Sequence, residues 1–482
     1  PDSIIDGRSV YTPLFSGVFW DVQDVLLEDV ERIEVISGPG ATLWGVNAVN
    51  GEINVITRSS RDPQGAFLAA GAGNLEAGAA ARYGAQLDSG GHFRVYGKYF
   101  DRQNTKRADG SEVQDDWDKG QIGFRADWDR ARDSFTLQGD AYSGELEQAA
   151  PGTSEIAGMN LLARWSRAFA DGSSIRLQGY YDRTRRDIPG TFGEDIDILD
   201  LELQHSIRPA AGHEVVWGGG YRYANDSVTN SAALAFIPAD LSLSWANLFV
   251  QDGIALRDNL TLTLGAKVEH NTYTGYEFLP SARIAWKPHS EQLVWSAISR
   301  GVRAPSRIDR ELFVPGNPPF LIAGGPNFRS EVSNTFELGY RAQPASAISY
   351  SVTAFYSVHD HIRSVEPIGG GVSVIGNEIE GNTGGVEAWG SYQAARAWRL
   401  SGGVALLRQR LELKPDSAST GGVSAEGNDP KHRWMLRSVY DLTERHELDI
   451  MVRHVSRLPD PVVPAYTAVD ARLGWKANRN LE

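Results

Sequence analysis

The sequence predicts an all-β membrane protein, a large antiparallel transmembrane β-barrel preceded by a small mixed domain, and three observations predict it. From about residue 65 onward apolar and polar residues alternate with period two in segments bounded by turn residues, and hardly any stretch shows a sustained helical stripe. The links between those segments alternate between short and long, as they do in membrane barrels with tight turns at one rim and long loops at the other. The composition of the 482 residues, with 51 Gly, 13 Trp, 17 Tyr and 17 Phe but 3 Met, suits strands with aromatic belts better than helices. No run approaches about 18 uninterrupted apolar residues, which excludes a membrane-spanning helix and leaves spanning strands allowed.

In chain order, residues 1–60 are of another kind. Residues 25–36 are dense in charge (Glu28, Asp29, Glu31, Arg32, Glu34) and pass from a helix-like turn into a strand at 32–36. A tight turn follows at Gly38-Pro39-Gly40, then a strand-like run around Ile53-Asn54-Val55-Ile56-Thr57. So short a segment buries little core alone, so it reads as part of a small domain, with residues 61–482 as the barrel. Residues 260–270 show the barrel pattern best. Leu260, Leu262, Leu264, Ala266 and Val268 share one face, and Thr261, Thr263, Lys267 and Glu269 share the other. A Lys turned toward lipid near the midplane costs about 2–4 kcal/mol, so the Leu and Val face is expected outward. Phe135, Leu137 and Gly139, and Leu448, Ile450 and Val452, alternate in the same way. A soluble antiparallel sandwich or barrel with one buried face shares this period, and link length separates the two. Short links are expected near 88–91, 130–133, 170–173, 209–212, 257–259, 288–290, 343–346 and 443–446. Long loops are expected near 104–116, 145–154, 183–195, 225–240, 301–330, 359–380 and 411–429. About twenty strands fit before residue 482, against the roughly 22 of plugged barrels, so about two closing strands are expected to be missing.

The formal net charge of −14 argues against a nucleic-acid partner, and the absence of Cys excludes disulfides, thiolate zinc sites, iron–sulfur clusters and a Cys nucleophile. No nucleophile elbow, H-E-x-x-H or P-loop is present, so neither enzymatic chemistry nor a cofactor is expected.

Certain runs resemble a known family. Glu31-Arg32-Ile33-Glu34-Val35-Ile36-Ser37-Gly38-Pro39-Gly40, with Leu43-Trp44-Gly45-Val46-Asn47-Ala48 and Ile53-Asn54-Val55-Ile56-Thr57, resembles the end of the plug domain in TonB-dependent outer-membrane receptors. Trp295-Ser296-Ala297-Ile298-Ser299-Arg300-Gly301-Val302-Arg303-Ala304-Pro305-Ser306 and Phe336-Glu337-Leu338-Gly339-Tyr340-Arg341 resemble its mid-barrel signatures. The resemblance implies a monomer in outer-membrane lipid that binds a scarce solute above the plug and imports it when TonB pulls from the periplasm. A ferric siderophore or another metal chelate is the leading ligand. A signalling or adhesion receptor, a passive porin, or an importer of cobalamin, a nickel chelate or oligosaccharide stays open. By the same comparison the TonB box, the first half of the plug and the closing strands are not in this sequence. Many relatives have Arg at the place of Ser37, which helps lock the plug to two barrel carboxylates. Glu337 and Glu387 match those carboxylates, and Arg32 is the expected substitute partner. The rival reading is that both Glu simply face a wet lumen. Relatives that carry haem place a His where this chain has none between Ser306 and Gly324, which argues against haem.

A binding cup needs flat aromatic surface and a few polar groups on rigid walls. Tyr11-Thr12-Pro13-Leu14-Phe15-Ser16-Gly17-Val18-Phe19-Trp20 supplies these on one short loop. Phe19 and Trp20 match positions that touch iron chelates in relatives and are the first expectations, with Tyr11 and Phe15 next, while Leu14 and Val18 are expected to pack. Arg8 is expected either to meet an anionic chelate or to form a lumen salt bridge. His359 and His361, two apart on a strand, would share a face and are weak candidates for a metal.

Overall fold

A computed structural model describes residues 2–40, 42, 45–107, 109–149, 151–423, 426–478 and 480–481; Leu43 and Trp44 of the plug motif lie outside the described residues. Four strands, β1 (Asp2–Ile5), β2 (Arg8–Ser9), β3 (Val30–Ser37) and β4 (Gly51–Thr57), form one sheet in the order β2-β1-β4-β3. β1 runs parallel to β4, and the other pairs are antiparallel. Asp6 and Gly7 turn β1 into β2 with φ of 51° and 85°. The Asp6 carboxylate then ties the turn to the far end of β4, accepting from the Thr57 N–H at 2.8 Å and its hydroxyl at 2.7 Å. The helix-like turn is a single 3-10 turn at Leu27–Asp29, leading straight into β3.

Around this sheet, twenty long antiparallel strands form a closed barrel, from Gly65–Ala72 to Tyr466–Trp475. The strand Leu260–Asn271 has the expected register: Leu264 and Val268 are exposed to the lipid side, whereas Lys267 and Glu269 are 5% and 6% exposed on the inner side. Large apolar residues such as Leu161, Leu199, Leu248, Phe336 and Leu338 repeat that outward belt round the wall.

Two expected loops are strand instead. The 183–195 stretch is the end of a hairpin, with Ser174–Ile188 and Phe192–Ile207 joined by three residues. The 359–380 stretch belongs to the hairpin of Ile348–Gly369 and Val372–Ala395, strands of 22 and 24 residues. Outside the bilayer a strand needs no apolar face, so polar, Gly-rich sequence there resembles a loop while its backbone still pairs. The 301–330 loop folds inward. It carries a helical turn at Arg307–Glu311, started by Asp309, whose carboxylate accepts from the Ser306 N–H and hydroxyl, both at 2.8 Å.

Plug and wall are joined by buried charge. Asp29, 2% exposed, is paired with Arg82 and, at 2.9 Å, with Arg94. Asp24 meets Lys98 at 2.6 Å, and Asp21 meets Arg186 at 2.7 Å. Apolar contact adds to this where Val46 of the plug packs on Leu279, Val302 and Ala304 of the wall.

Candidate ligand site

The loop from β2 to the 3-10 turn carries the aromatic run. Ser16 sits at φ 58°, and the Thr12 N–H donates to the Gly17 carbonyl at 2.9 Å, so residues 12–17 close into a tight turn. Its apex inserts among the outer loops. The Pro13 and Leu14 carbonyls accept from the backbone N–H groups of Arg307 at 3.0 Å and Ile308 at 2.8 Å. Leu14, 2% exposed, packs on Val228 and Phe236. Phe15 and Phe19 join the same cluster, their rings edge to face at 4.8 Å, and the Arg186 guanidinium covers Phe19 at 4.1 Å.

These contacts sort the expected site residues. Phe15 and Phe19 are half-buried in packing and present little free ring surface. Leu14 and Val18 are buried. Arg8 is ion-paired with Asp182 and 7% exposed, so it forms the lumen salt bridge and not an open anion contact. Trp20 stands out at 56% exposed. Tyr11 borders the two larger cavities inside the barrel.

The larger cavity, about 470 Å³, runs between the plug and the wall strands from Ser154–Ala168 to Leu260–Asn271. The smaller, about 180 Å³, lies toward Arg303, Glu331 and His359. Tyr11, Ser16 and Asn47 line both and so form the saddle between them. Asn47 is fixed there: at φ 82° its N–H donates to the Val302 carbonyl at 2.7 Å and its side-chain oxygen accepts from the Ala304 N–H at 3.0 Å. The larger cavity is rich in amides, among them Asn54, Gln178, Asn247 and Gln251. Two of its cations are paired on the wall: Arg222 meets Asp200 at 2.9 Å, and Arg176 meets Glu202 at 3.4 Å. Such a surface offers many neutral donors and acceptors with its charges largely balanced. Sequence reading missed these wall residues because each is an ordinary inward position, and only the closed register brings Arg164, Gln178 and Arg222 to the plug.

In the outer cap, Glu311 has a displaced titration. Tyr273 donates its hydroxyl to the Glu311 carboxylate at 2.7 Å, and burial pushes the Glu311 carboxyl up to about 7, opposed by that hydrogen bond and by Arg307 and Arg310.

The expected lock is corrected. Arg32 lies on the exposed edge strand β3, its guanidinium held by Glu34 at 2.7 Å and Glu31 at 2.8 Å, and does not pair with Glu337 or Glu387. What meets Glu337 is backbone: a Cβ at Gly38, where φ is +84°, would lie 2.6 Å from a Glu337 carboxylate oxygen. Glu387 lies 3.8 Å from Arg433. The two histidines do not act as a pair. His361 has φ of 60°, and the register slips between His359 and Ile362, which ends the alternation. His359 contacts the Thr383 hydroxyl at 3.0 Å, His361 lies 3.5 Å from Asp360, and no metal-binding group of three or more acidic or His side chains occurs among the described residues.

A family model for the TonB-dependent receptor-like β-barrel matches residues 57–482. The chain belongs to that family. Among curated proteins, the receptor is 24% identical over 365 residues to the iron-regulated outer membrane virulence protein of Vibrio cholerae, a match covering 69% of this chain and 53% of that protein. The chain thus spans about half the length of this relative. It is 22% identical over 471 residues to the vitamin B12 transporter BtuB of Vibrio cholerae, covering 91% of this chain and 70% of the transporter. Among solved structures, the siderophore receptor PirA of Acinetobacter baumannii superposes with a TM-score of 0.80 at 13% identity, covering 99% of this chain and 84% of that one. The ferric enterobactin receptor PfeA of Pseudomonas aeruginosa, in complex with enterobactin, gives 0.81 at 15%, with the same coverage. The receptor is an outer-membrane protein, with long loops outside and short turns facing the periplasm.

Proposed function

We propose that the receptor imports a scarce solute across the outer membrane, energised by TonB, and that the solute is a ferric siderophore or another metal chelate. The observation that carries this reading is a plug sheet seated inside the barrel, its loop pinned to the outer helical turn above a cavity of about 470 Å³. A solute entering from outside meets that loop first, and the plug's buried ion pairs hold the passage shut until force is applied. Within the loop, Trp20 and Tyr11 are the residues proposed to touch ligand; Phe15 and Phe19 shape the loop from behind. A second reading, cobalamin, draws on the amide-rich, charge-balanced cavity wall and on the relative named a vitamin B12 transporter.

A tryptophan-fluorescence titration of the full-length, detergent-folded receptor against ferric siderophores, their iron-free forms and cobalamin tests both. Saturable quenching by one iron-loaded chelate at submicromolar concentration supports the first reading. Saturation by cobalamin alone replaces it with the second. Energised uptake is tested separately in cells with and without TonB, where equal uptake would point to a passive pore.

A further inference from the structure

The strand Trp398–Leu413 rises from a short periplasmic turn toward the outer rim, and its faces are settled by its neighbours. Gln409 and Leu411 line the inner cavity, so Arg408 and Arg410 project from the lipid-facing side, directly above the outward Val404 and Leu406. Both arginines are exposed, and neither has an ion pair among the described residues. Two residues apart on one strand, they stand about 7 Å apart along it.

The next two strands add aromatic rings just below the arginines. His432 lies opposite Leu406, and Trp434 lies opposite both Val404 and His454, so all three rings share the outer face. His454 is stacked between the other two, its centroid 5.6 Å from His432 and 5.7 Å from Trp434, with planes within 18°. Further out, Glu412 faces Glu380, so the cations form a short band bounded by acid and not the start of a basic loop. On another outer hairpin, by comparison, the exposed Arg183 has Asp195 at 3.6 Å and Asp197 at 3.9 Å on the adjacent strand.

We propose that Arg408 and Arg410, flanked by the His432–His454–Trp434 stack, bind the phosphorylated headgroup of a glycolipid in the outer leaflet. The height fits, because the band begins where the apolar belt stops and headgroup phosphates begin. The chemistry fits as well, because guanidinium forks pair with phosphate oxygens bidentately and the amphipathic rings favour that interface. Basic clusters at the lipid boundary attract anionic headgroups, and among the described residues neither arginine is held in an ion pair.

The test uses the folded full-length receptor in detergent and measures retention of diphosphorylated lipid A, dephosphorylated lipid A and phosphatidylglycerol. The parent is expected to prefer diphosphorylated lipid A to both others. Arg408→Ala with Arg410→Ala is expected to weaken that binding by roughly thirtyfold, about fivefold per arginine. Arg408→Lys with Arg410→Lys is expected to retain part of it, and Arg183→Ala to leave it unchanged. Heat-modifiable mobility on gels confirms that each variant is folded. Equal retention of phosphorylated and dephosphorylated lipid A by the parent would overturn the site, as would an unaltered preference in the double Ala variant. Equal retention of phosphatidylglycerol would reduce the band to a general anionic surface and overturn the glycolipid assignment.

Discussion

Phe19 and Trp20 are adjacent in sequence and differ in fate: Phe19 is covered by Arg186 and packed against Phe15, while Trp20 is 56% exposed. Trp20→Ala is therefore expected to weaken ligand binding by about 1–3 kcal/mol, the range of an aromatic hot spot, and to leave heat stability nearly unchanged. Equal affinity in parent and variant would remove Trp20 from the site. Glu311 supports a second expectation. Its carboxyl titrates near 7 in the fold, above the ordinary value near 4.5, so its protonated form favours the folded cap. That stabilisation is complete below about pH 4.5 and is lost as pH rises through about 7. The groups facing it are Tyr273, Asp309, Arg307 and Arg310. Limited proteolysis of the 301–330 loop should be faster at pH 8 than at pH 5, and Glu311→Gln should flatten the difference. A parent loop cleaved at the same rate at both pH values would show that Glu311 does not govern the cap.

At the scale of elements, the plug depends on where its buried charges land. Asp29 terminates the 3-10 turn and answers two guanidiniums of the wall, so Asp29→Ala strands both in a buried place, at a cost of about 3–5 kcal/mol to the seating of the plug. Hydrogen exchange of the β4 amides reads this directly, and unchanged exchange in the variant would mean the sheet is held by its apolar contacts alone. Strands β3 and β4 of the plug were legible because the turn at Gly38 and the run from Ile53 to Thr57 are local signals, whereas the short β1 and β2 were not read as strands. The pairing of Arg32 was not legible either. Its partners Glu31 and Glu34 are adjacent in sequence, but only the placement of β3 at an exposed sheet edge decides that it reaches them and not Glu337. The same holds for the hairpin of Ile348–Gly369 and Val372–Ala395: beyond the bilayer, cross-strand pairing and not hydropathy determines where strand gives way to loop.

The whole molecule is organised by one boundary condition, a wall with lipid outside and water inside. That condition made the barrel and its register readable from period two alone, since a slip of one residue along Leu260–Asn271 would turn Lys267 toward lipid. Leu264→Arg is expected to cost about 2–4 kcal/mol in refolding into vesicles, and Thr263→Lys, toward the interior, much less. Similar costs for the two would contradict the register. The cavity wall was not readable, because Gln178, Arg222 and Asn247 come from three strands whose convergence on the plug appears only once the ring closes. The longest hairpin ends in Gly369, Gly370 and Gly371, with φ of 94°, 64° and 80° and nothing within 4 Å of where their side chains would begin. This tip is a ready point for cell-surface display: a short epitope spliced after Gly370 disturbs no packing and should be stained by antibody on intact, unpermeabilised bacteria.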